Sequence, residues 1–176
     1  MKRNLLACAS ILALSMVPIE SKANQLYLIE PDSFQSSPHI RLARAINHLQ
    51  VPIIDGSKSG LPQCKPKANS VTYGFYSPSR NAMVLCTSNG SLDAMKRTFV
   101  HETMHMVQDC RAGLGNADLK DKSGHLTKLQ YHSLNKEHKH NIHHLYHGES
   151  KLFEVEARKL DNSPNVVWKY VAKYCR

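Results

Sequence analysis

The sequence predicts a single domain of the α+β class. Two short β-prone runs, 71–76 and 82–87, flank the turn-forming segment 77–80 and together indicate a β-hairpin. Apolar residues recur at helical spacing in one segment before this hairpin and in three segments after it. Strands and helices do not alternate along the chain as they do in α/β proteins, so we expect a small sheet with helices packed beside it.

Length and composition fit one folded domain. The chain has 176 residues, of which 41% are hydrophobic and 21% are charged, and these values exclude wholesale disorder. The net charge is +9, but the cations are dispersed and are not interleaved with aromatic residues, which argues against a specific nucleic-acid site. An anionic cell-envelope surface is the partner that this basic balance would suit.

The first 23 residues are typical of a secretory signal peptide. Lys2 and Arg3 precede an apolar run over 5–17, and Ala23 ends a cleavage site of small residues. The apolar run is short for a membrane span, and no later segment is apolar enough to form one. We therefore expect a secreted or periplasmic protein whose mature chain, 24–176, forms one monomeric domain.

The cysteine count agrees with export. Cys8 belongs to the leader, so the mature chain keeps four cysteines, an even number that favours two disulfides. Of the three possible connectivities we favour Cys64–Cys86, which would close a local unit, and Cys110–Cys175, which would fasten the C-terminal helix to the middle of the chain. No C-x-x-C spacing indicates a thiolate zinc site.

The helix before the hairpin has clear start and stop signals. Ser37 is a capping residue, and Pro38 occupies the first helical position. Apolar residues follow at helical spacing until Pro52, which closes the element. The polar stretch over 55–70 then leads into the hairpin.

Three further helices are expected after the hairpin. The first covers 92–111, begins after the capping segment 89–91 and is followed by two glycines. The last two cover 149–160 and the segment that begins at Pro164. Between the helix over 92–111 and the helix over 149–160, the segment 116–148 is a polar, histidine-rich insert with the pattern of partial helicity.

The helix over 92–111 is strongly amphipathic. At about 100° per residue its apolar side chains fall within one broad sector, which we expect to be buried. The remaining polar side chains form one continuous wedge that we expect to face a cleft: Arg97, Thr98, His101, Glu102, His105, Gln108 and Asp109.

This wedge contains an H-E-x-x-H motif, from His101 to His105. Residues at i and i+4 lie on one face of a helix, so both imidazoles could bind a single zinc ion. Glu102 lies about 100° further round the helix axis and could act as a general base on water. The alternative is a surface helix with two solvated histidines. The continuation typical of metzincins is missing, so a third ligand has to come from elsewhere in the chain.

A helical glutamate some 50 residues after the motif makes the sequence resemble the gluzincin zinc metallopeptidases. Many gluzincins have E-x-x-A, a pattern that Glu154 to Ala157 matches. The related pattern E-A-x-x-D would select Glu156, but Leu160 stands at its aspartate position. Arg158 also departs from the Asp or Asn that often follows the alanine. The resemblance thus favours Glu154 as the third zinc ligand, with Glu156 as the alternative.

The resemblance covers 71–160 and implies a minimal zincin-like fold, with the hairpin beside the zinc helix and a helical C-terminal part. It implies one catalytic Zn²⁺ that, together with Glu102, activates water to attack the carbonyl of a peptide or protein substrate. A Tyr or His usually stabilises the oxyanion in such reactions. Tyr131, Tyr146 and His147 are the candidates, and the sequence does not choose among them.

The insert and the function each leave alternatives open. The pairs His140/His144 and His143/His147 could bind a second, weaker metal ion, whereas the alternative is a solvated loop over the cleft. The protein could also be a non-catalytic exported metal-binding protein, or a zinc amidase that acts on cell-wall peptides. Glu102 argues against a purely metal-binding role, which needs no base beside the ligands.

Overall fold

The computed structural model describes residues 25–68, 70–112, 134–145 and 150–176. The predicted signal peptide and most of the histidine-rich insert lie outside these ranges. Within them the chain forms five helices and a three-stranded mixed sheet, so the α+β prediction is confirmed.

The helices lie close to their predicted positions. They are α1 (Ser37–His48), α2 (Leu92–Ala112), α3 (Lys136–Leu145), α4 (Ser150–Leu160) and α5 (Pro164–Tyr174). Among the described residues, no helix combines the length and apolar character needed to cross a bilayer. The helix α3 is the ordered part of the insert, for which only partial helicity was predicted.

Local sequence explains where these helices begin. Pro38 and Pro164 lie in the first turns of α1 and α5, where a missing backbone N–H costs nothing. The Ser91 hydroxyl oxygen accepts a hydrogen bond from the Ala94 N–H at 3.2 Å and so caps α2.

The sheet has the strand order β1-β3-β2, with β1 (Ile53–Asp55), β2 (Gly74–Ser77) and β3 (Ala82–Leu85). The strands β2 and β3 pair antiparallel and form the predicted hairpin, although both are shorter than expected. A 3₁₀ turn, Pro78–Arg80, joins them and ends at Asn81, whose φ of 44° lies in the left-handed region that Asn tolerates.

The third strand, β1, was not predicted from the sequence; it pairs parallel with β3. With three residues, this strand is too short to display alternation, and all three are buried. The N-terminal segment continues the sheet beyond it, because the Ile29 N–H donates to the Ile53 carbonyl and the Asp55 N–H donates to the Tyr27 carbonyl, each at 2.7 Å.

The main core lies between α1, α2, α5 and one face of the sheet. The rings of Phe34 and Phe99 stack at its centre with centroids 4.2 Å apart. Other large side chains that are almost fully buried include Leu42, Ile46, Ile53, Met83, Leu85, Met104 and Met106. Because α2 contacts β2, β3, α4 and α5, it links the core to the C-terminal helices.

Among the described residues, one disulfide lies at the main core and a second in a smaller apolar cluster, and both join the predicted partners. Cys64–Cys86 connects a 3₁₀ turn to the residue after β3, with a sequence separation of 22. Cys110–Cys175 connects the last turn of α2 to the residue after α5, with a sequence separation of 65. Such bonds persist in oxidising compartments.

Removing the longer disulfide is expected to cost more stability. In the chain-entropy account, closing the loop of 65 residues contributes about 4 kcal/mol, against about 3 kcal/mol for the loop of 22 residues. Chemical denaturation of the Cys110→Ala/Cys175→Ala variant should therefore give the lower free energy of unfolding, with Cys64→Ala/Cys86→Ala as the matched comparison. Equal stability of both variants and the native chain would contradict the stapling role.

Candidate metal centre

An open cleft of about 860 Å³ runs between the edge strand β2, the first half of α2, and the helices α3 and α4. Arg97, Thr98, His101, Glu102 and His105 line it, as expected for the polar wedge. The last two wedge residues, Gln108 and Asp109, are fully buried instead, because the later part of α2 is covered by other elements. The wedge therefore faces the cleft with its first five residues only.

Three predicted ligand side chains meet at the floor of this cleft. His101 Nε2 and His105 Nε2 lie 3.2 Å apart, His101 Nε2 lies 3.4 Å from Glu154 Oε1, and His105 Nε2 lies 3.4 Å from Glu154 Oε2. Two ligand atoms at about 2.1 Å from a tetrahedral zinc ion are about 3.4 Å apart. The observed distances are close to this spacing, although the two histidines face different oxygens of Glu154. One ligand atom from each side chain lies within 4.8 Å of the others, so together they could hold an ion.

Packing of α4 on α2 decides which glutamate joins the histidines. Glu154 is 2% exposed and faces them, and Ala157, one turn later, is fully buried in the main core. Glu156 points away from the histidines, because both of its oxygens accept hydrogen bonds from Arg111 at 3.1 Å. Of the two sequence candidates for the third ligand, only Glu154 lies at the histidines.

Burial and mutual interactions shift the pKa values of Glu154 and His105 in opposite directions. Burial alone would raise the pKa of Glu154, but hydrogen bonds with His101 and His105 lower it far below its usual range. Burial alone would lower the pKa of His105, but hydrogen bonds and charges, chiefly those of Glu154, raise it to about 9. Arg158, at the position that departs from the gluzincin pattern, donates to Glu154 Oε1 at 2.8 Å.

Glu102 is held beside the ligands by the edge strand. Its Oε2 accepts a hydrogen bond from the Tyr76 N–H at 2.9 Å, and the residue is 8% exposed. A side chain at Gly74 would put its Cβ 2.7 Å from both Thr98 Cγ2 and the Val84 carbonyl oxygen. Glycine therefore lets β2 approach α2 closely enough for this hydrogen bond to form.

Tyr76 also ties the hairpin to the buried end of the polar wedge. Its hydroxyl donates to Asp109 Oδ2 at 2.8 Å, beneath the cleft floor. Burial, together with this hydrogen bond and the charge of Asp109, raises the pKa of Tyr76 well above its usual value.

Gln108 links His105 to α4 through hydrogen bonds that its place in the polar wedge did not predict. Its Oε1 lies 2.8 Å from His105 Nδ1, and its Nε2 donates to the Phe153 carbonyl at 3.0 Å and to Glu156 Oε2 at 3.1 Å. His101 Nδ1, by contrast, is buried without a hydrogen-bond partner among the described residues. The i, i+3 spacing from His105 was the available signal for Gln108.

The described part of the histidine-rich insert shows one close pair of the predicted histidines. On α3 the rings of His140 and His144 lie 4.2 Å apart and are exposed. Within the described ranges, they are not part of a cluster of three or more side chains that could hold a metal ion. The insert's His147 and the oxyanion candidates Tyr131 and Tyr146 lie outside the described residues.

The cleft wall also contains His138 and Asp161, which the sequence analysis did not single out. Burial raises the pKa of Asp161, although coulombic interactions with nearby basic side chains, His101 first among them, act in the opposite direction. A titratable carboxyl group therefore lies within the electrostatic reach of the ligand cluster.

Comparison with known proteins supplies a family but no described relative. No curated protein and no solved structure matches the chain significantly. One family, described as domain of unknown function DUF8637, matches residues 58–176. The matched range covers more than half of the chain and includes the three clustered ligands, Glu102 and all four paired cysteines. The chain therefore belongs to the DUF8637 family.

Proposed function

We propose that this protein is an exported zinc-dependent peptidase that uses Glu102 as its general base. The observation that carries the proposal is the position of Glu102, which is adjacent in sequence to the ligand His101 and held at the same cleft as His105 and Glu154. Two disulfides support an exported protein. The hairpin packed beside α2 and the glutamate on α4 agree with a minimal zincin-like fold of gluzincin type.

The donor set suits a catalytic zinc ion. Two imidazoles and one carboxylate are a ligand combination typical of zinc hydrolases, which leave one position open for reactants. A zinc ion held by these side chains supplies a Lewis acid that makes water acidic near neutral pH and polarises a carbonyl group. The three ligands lie at an open cleft, so this position would be accessible to a substrate.

Glu102 has the position and the acceptor that proton transfer needs. The Tyr76 N–H engages its Oε2 and fixes the carboxylate. Oε1, which accepts no hydrogen bond from the part of the chain that the structure describes, can take a proton from the attacking water. The same carboxyl group can then donate that proton to the departing amine. A metal-binding protein without activity would gain nothing from a carboxylate anchored in this way.

The cleft wall favours a peptide as the substrate. The strand β2 lies at the edge of the sheet and lines the cleft. Its Tyr76 N–H already donates to Glu102, so an extended peptide would pair with other backbone groups of this edge. Val71 and Tyr73 continue this wall with side chains that are 49% and 47% exposed. An extended peptide can pair with such an edge and place apolar side chains along the wall. Cell-wall peptides have the same amide chemistry and belong in any substrate panel.

Replacing Glu102 by glutamine should separate catalysis from metal binding. Glutamine still accepts the Tyr76 N–H but cannot take a proton, so hydrolysis should fall by about 10²–10⁴-fold while zinc content stays the same. Peptide-library hydrolysis and elemental analysis measure the two properties. Glu30→Gln, the same charge change at an exposed position, is the control. Unchanged hydrolysis in Glu102→Gln would refute the proposed role of this residue.

The two glutamates of α4 should differ sharply in their effect on zinc. Glu154→Gln removes an anionic ligand and should raise the zinc dissociation constant by at least about 100-fold. Glu156→Gln keeps its hydrogen-bonding shape beside Arg111 and should change this constant by less than about threefold. Chelator competition measures both constants, and the reverse order would make Glu156 the ligand.

Zinc affinity should also rise with pH. The pKa of His105, raised to about 9, keeps its imidazole protonated at neutral pH, and this proton has to leave before the nitrogen can bind a cation. The association constant should therefore increase about tenfold per unit from about pH 7 and level off near pH 9. A histidine of ordinary pKa would level off above about pH 6.5 instead. Chelator competition at each pH distinguishes the two curves.

A further inference from the structure

Gln108 occupies a buried position between the two helices that carry the ligands. It is fully buried on α2, and its side chain contacts His105 on the same helix and two acceptors on α4. It does not line the cleft, so it cannot touch a substrate there. Any influence on the centre therefore has to pass through His105.

The partners of Gln108 determine how its amide group is oriented. The Phe153 carbonyl, 3.0 Å from Nε2, can only accept a hydrogen bond, and the Glu156 carboxylate, 3.1 Å away, is an acceptor as well. The NH₂ group must therefore face α4. The amide oxygen, Oε1, then faces His105 and can only accept.

The orientation of Gln108 in turn determines the state of His105. A nitrogen 2.8 Å from an oxygen that can only accept has to carry a hydrogen, so Nδ1 of His105 is protonated. In the neutral imidazole Nε2 then has the lone pair. This is the atom that lies 3.4 Å from Glu154 Oε2 and 3.2 Å from His101 Nε2.

We propose that Gln108 is a positioning residue that holds His105 in the Nδ1–H tautomer and directs Nε2 toward the metal position. Glu156, on α4, helps to orient the Gln108 amide by accepting a hydrogen bond from its Nε2. Arg111, on α2, in turn holds Glu156 by donating to both of its oxygens at 3.1 Å. The Phe153 carbonyl fixes the same amide orientation through the backbone, which no side-chain substitution removes. This inference rests on the proposed function only in taking His105 as a metal ligand.

Two variants distinguish positioning from simple packing between α2 and α4. Gln108→Met keeps an unbranched side chain but offers His105 no acceptor. Gln108→Glu alone would bring a carboxylate against that of Glu156, whose Oε2 lies 3.1 Å from Gln108 Nε2, so it is combined with Glu156→Gln. The double variant keeps a carboxyl oxygen for His105 and loses the NH₂ group that bonds to the Phe153 carbonyl. Positioning predicts that Gln108→Met raises the zinc dissociation constant by about 10–100-fold. It also predicts that Gln108→Glu/Glu156→Gln stays within about threefold of the native value at neutral pH.

A merely structural role gives a different pattern. Both variants lose the hydrogen bond to the Phe153 carbonyl, so both would lose thermal stability and would weaken zinc binding together. Comparable zinc constants for the two variants would therefore overturn the proposal, as would native affinity in Gln108→Met. Circular dichroism and thiol titration confirm that the fold and both disulfides are retained.

A spectroscopic measurement tests the tautomer directly. In ¹⁵N-histidine-labelled protein, the Nδ1 proton of His105 should give a slowly exchanging downfield ¹H–¹⁵N signal that is lost in Gln108→Met. The spectrum is recorded with zinc and without it. Without zinc it still reports the hydrogen bond to Gln108, so a protein that binds no zinc would refute the proposed function and leave this test decisive. A native spectrum in which Nδ1 lacks a proton refutes the inference.

Discussion

The burial of one carboxylate between two helices is the constraint on which the structure of the centre depends. Glu154 is 2% exposed, and a carboxylate removed from water is strongly unfavourable unless opposite charges or hydrogen bonds replace the lost hydration. His101, His105 and Arg158 provide that replacement from two helices. The association of α4 with α2 is therefore a matter of charge as much as of apolar contact. Without a bound cation, His105 partly takes over that role, because its pKa is raised and its protonated form is favoured.

The helix α2 combines two demands that usually fall on different elements. Its apolar sector, including Phe99 and Met104, lies in the main core, and its polar wedge supplies the cleft and the buried hydrogen bonds. A helix fixed on one side by close packing has little freedom to rotate, so its histidines are held in place by the core. The disulfide at Cys110 and the hydrogen bond from Tyr76 to Asp109 secure the last turns of the same helix.

Elements with strong local signals could be predicted from the sequence. Prolines in the first turns located α1 and α5, and the Ser91 cap located α2. The predicted cap Ser37 is instead the first residue of α1, which follows Ser36 and has no side-chain capping bond. Helical periodicity placed the two histidines on one face of α2. The β1 strand could not be predicted, because three residues show no periodicity and their pairing with β3 is a long-range contact. The choice between Glu154 and Glu156 likewise depends on the face that α4 turns to α2. The contact between Gln108 and Phe153 spans 45 positions, and nothing in either local pattern indicates it.

The open side of the sheet has a consequence for how this protein meets other chains. The N-terminal segment pairs with β1 through Ile29 and Tyr27, so that edge is already occupied. The edge at β2 lies within the cleft, where Glu102 takes up the Tyr76 N–H. A strand that joins the sheet at β2, whether a substrate or a second copy in an early aggregate, has to enter the cleft. A ligand that occupies the cleft would therefore also block β-sheet extension at this edge.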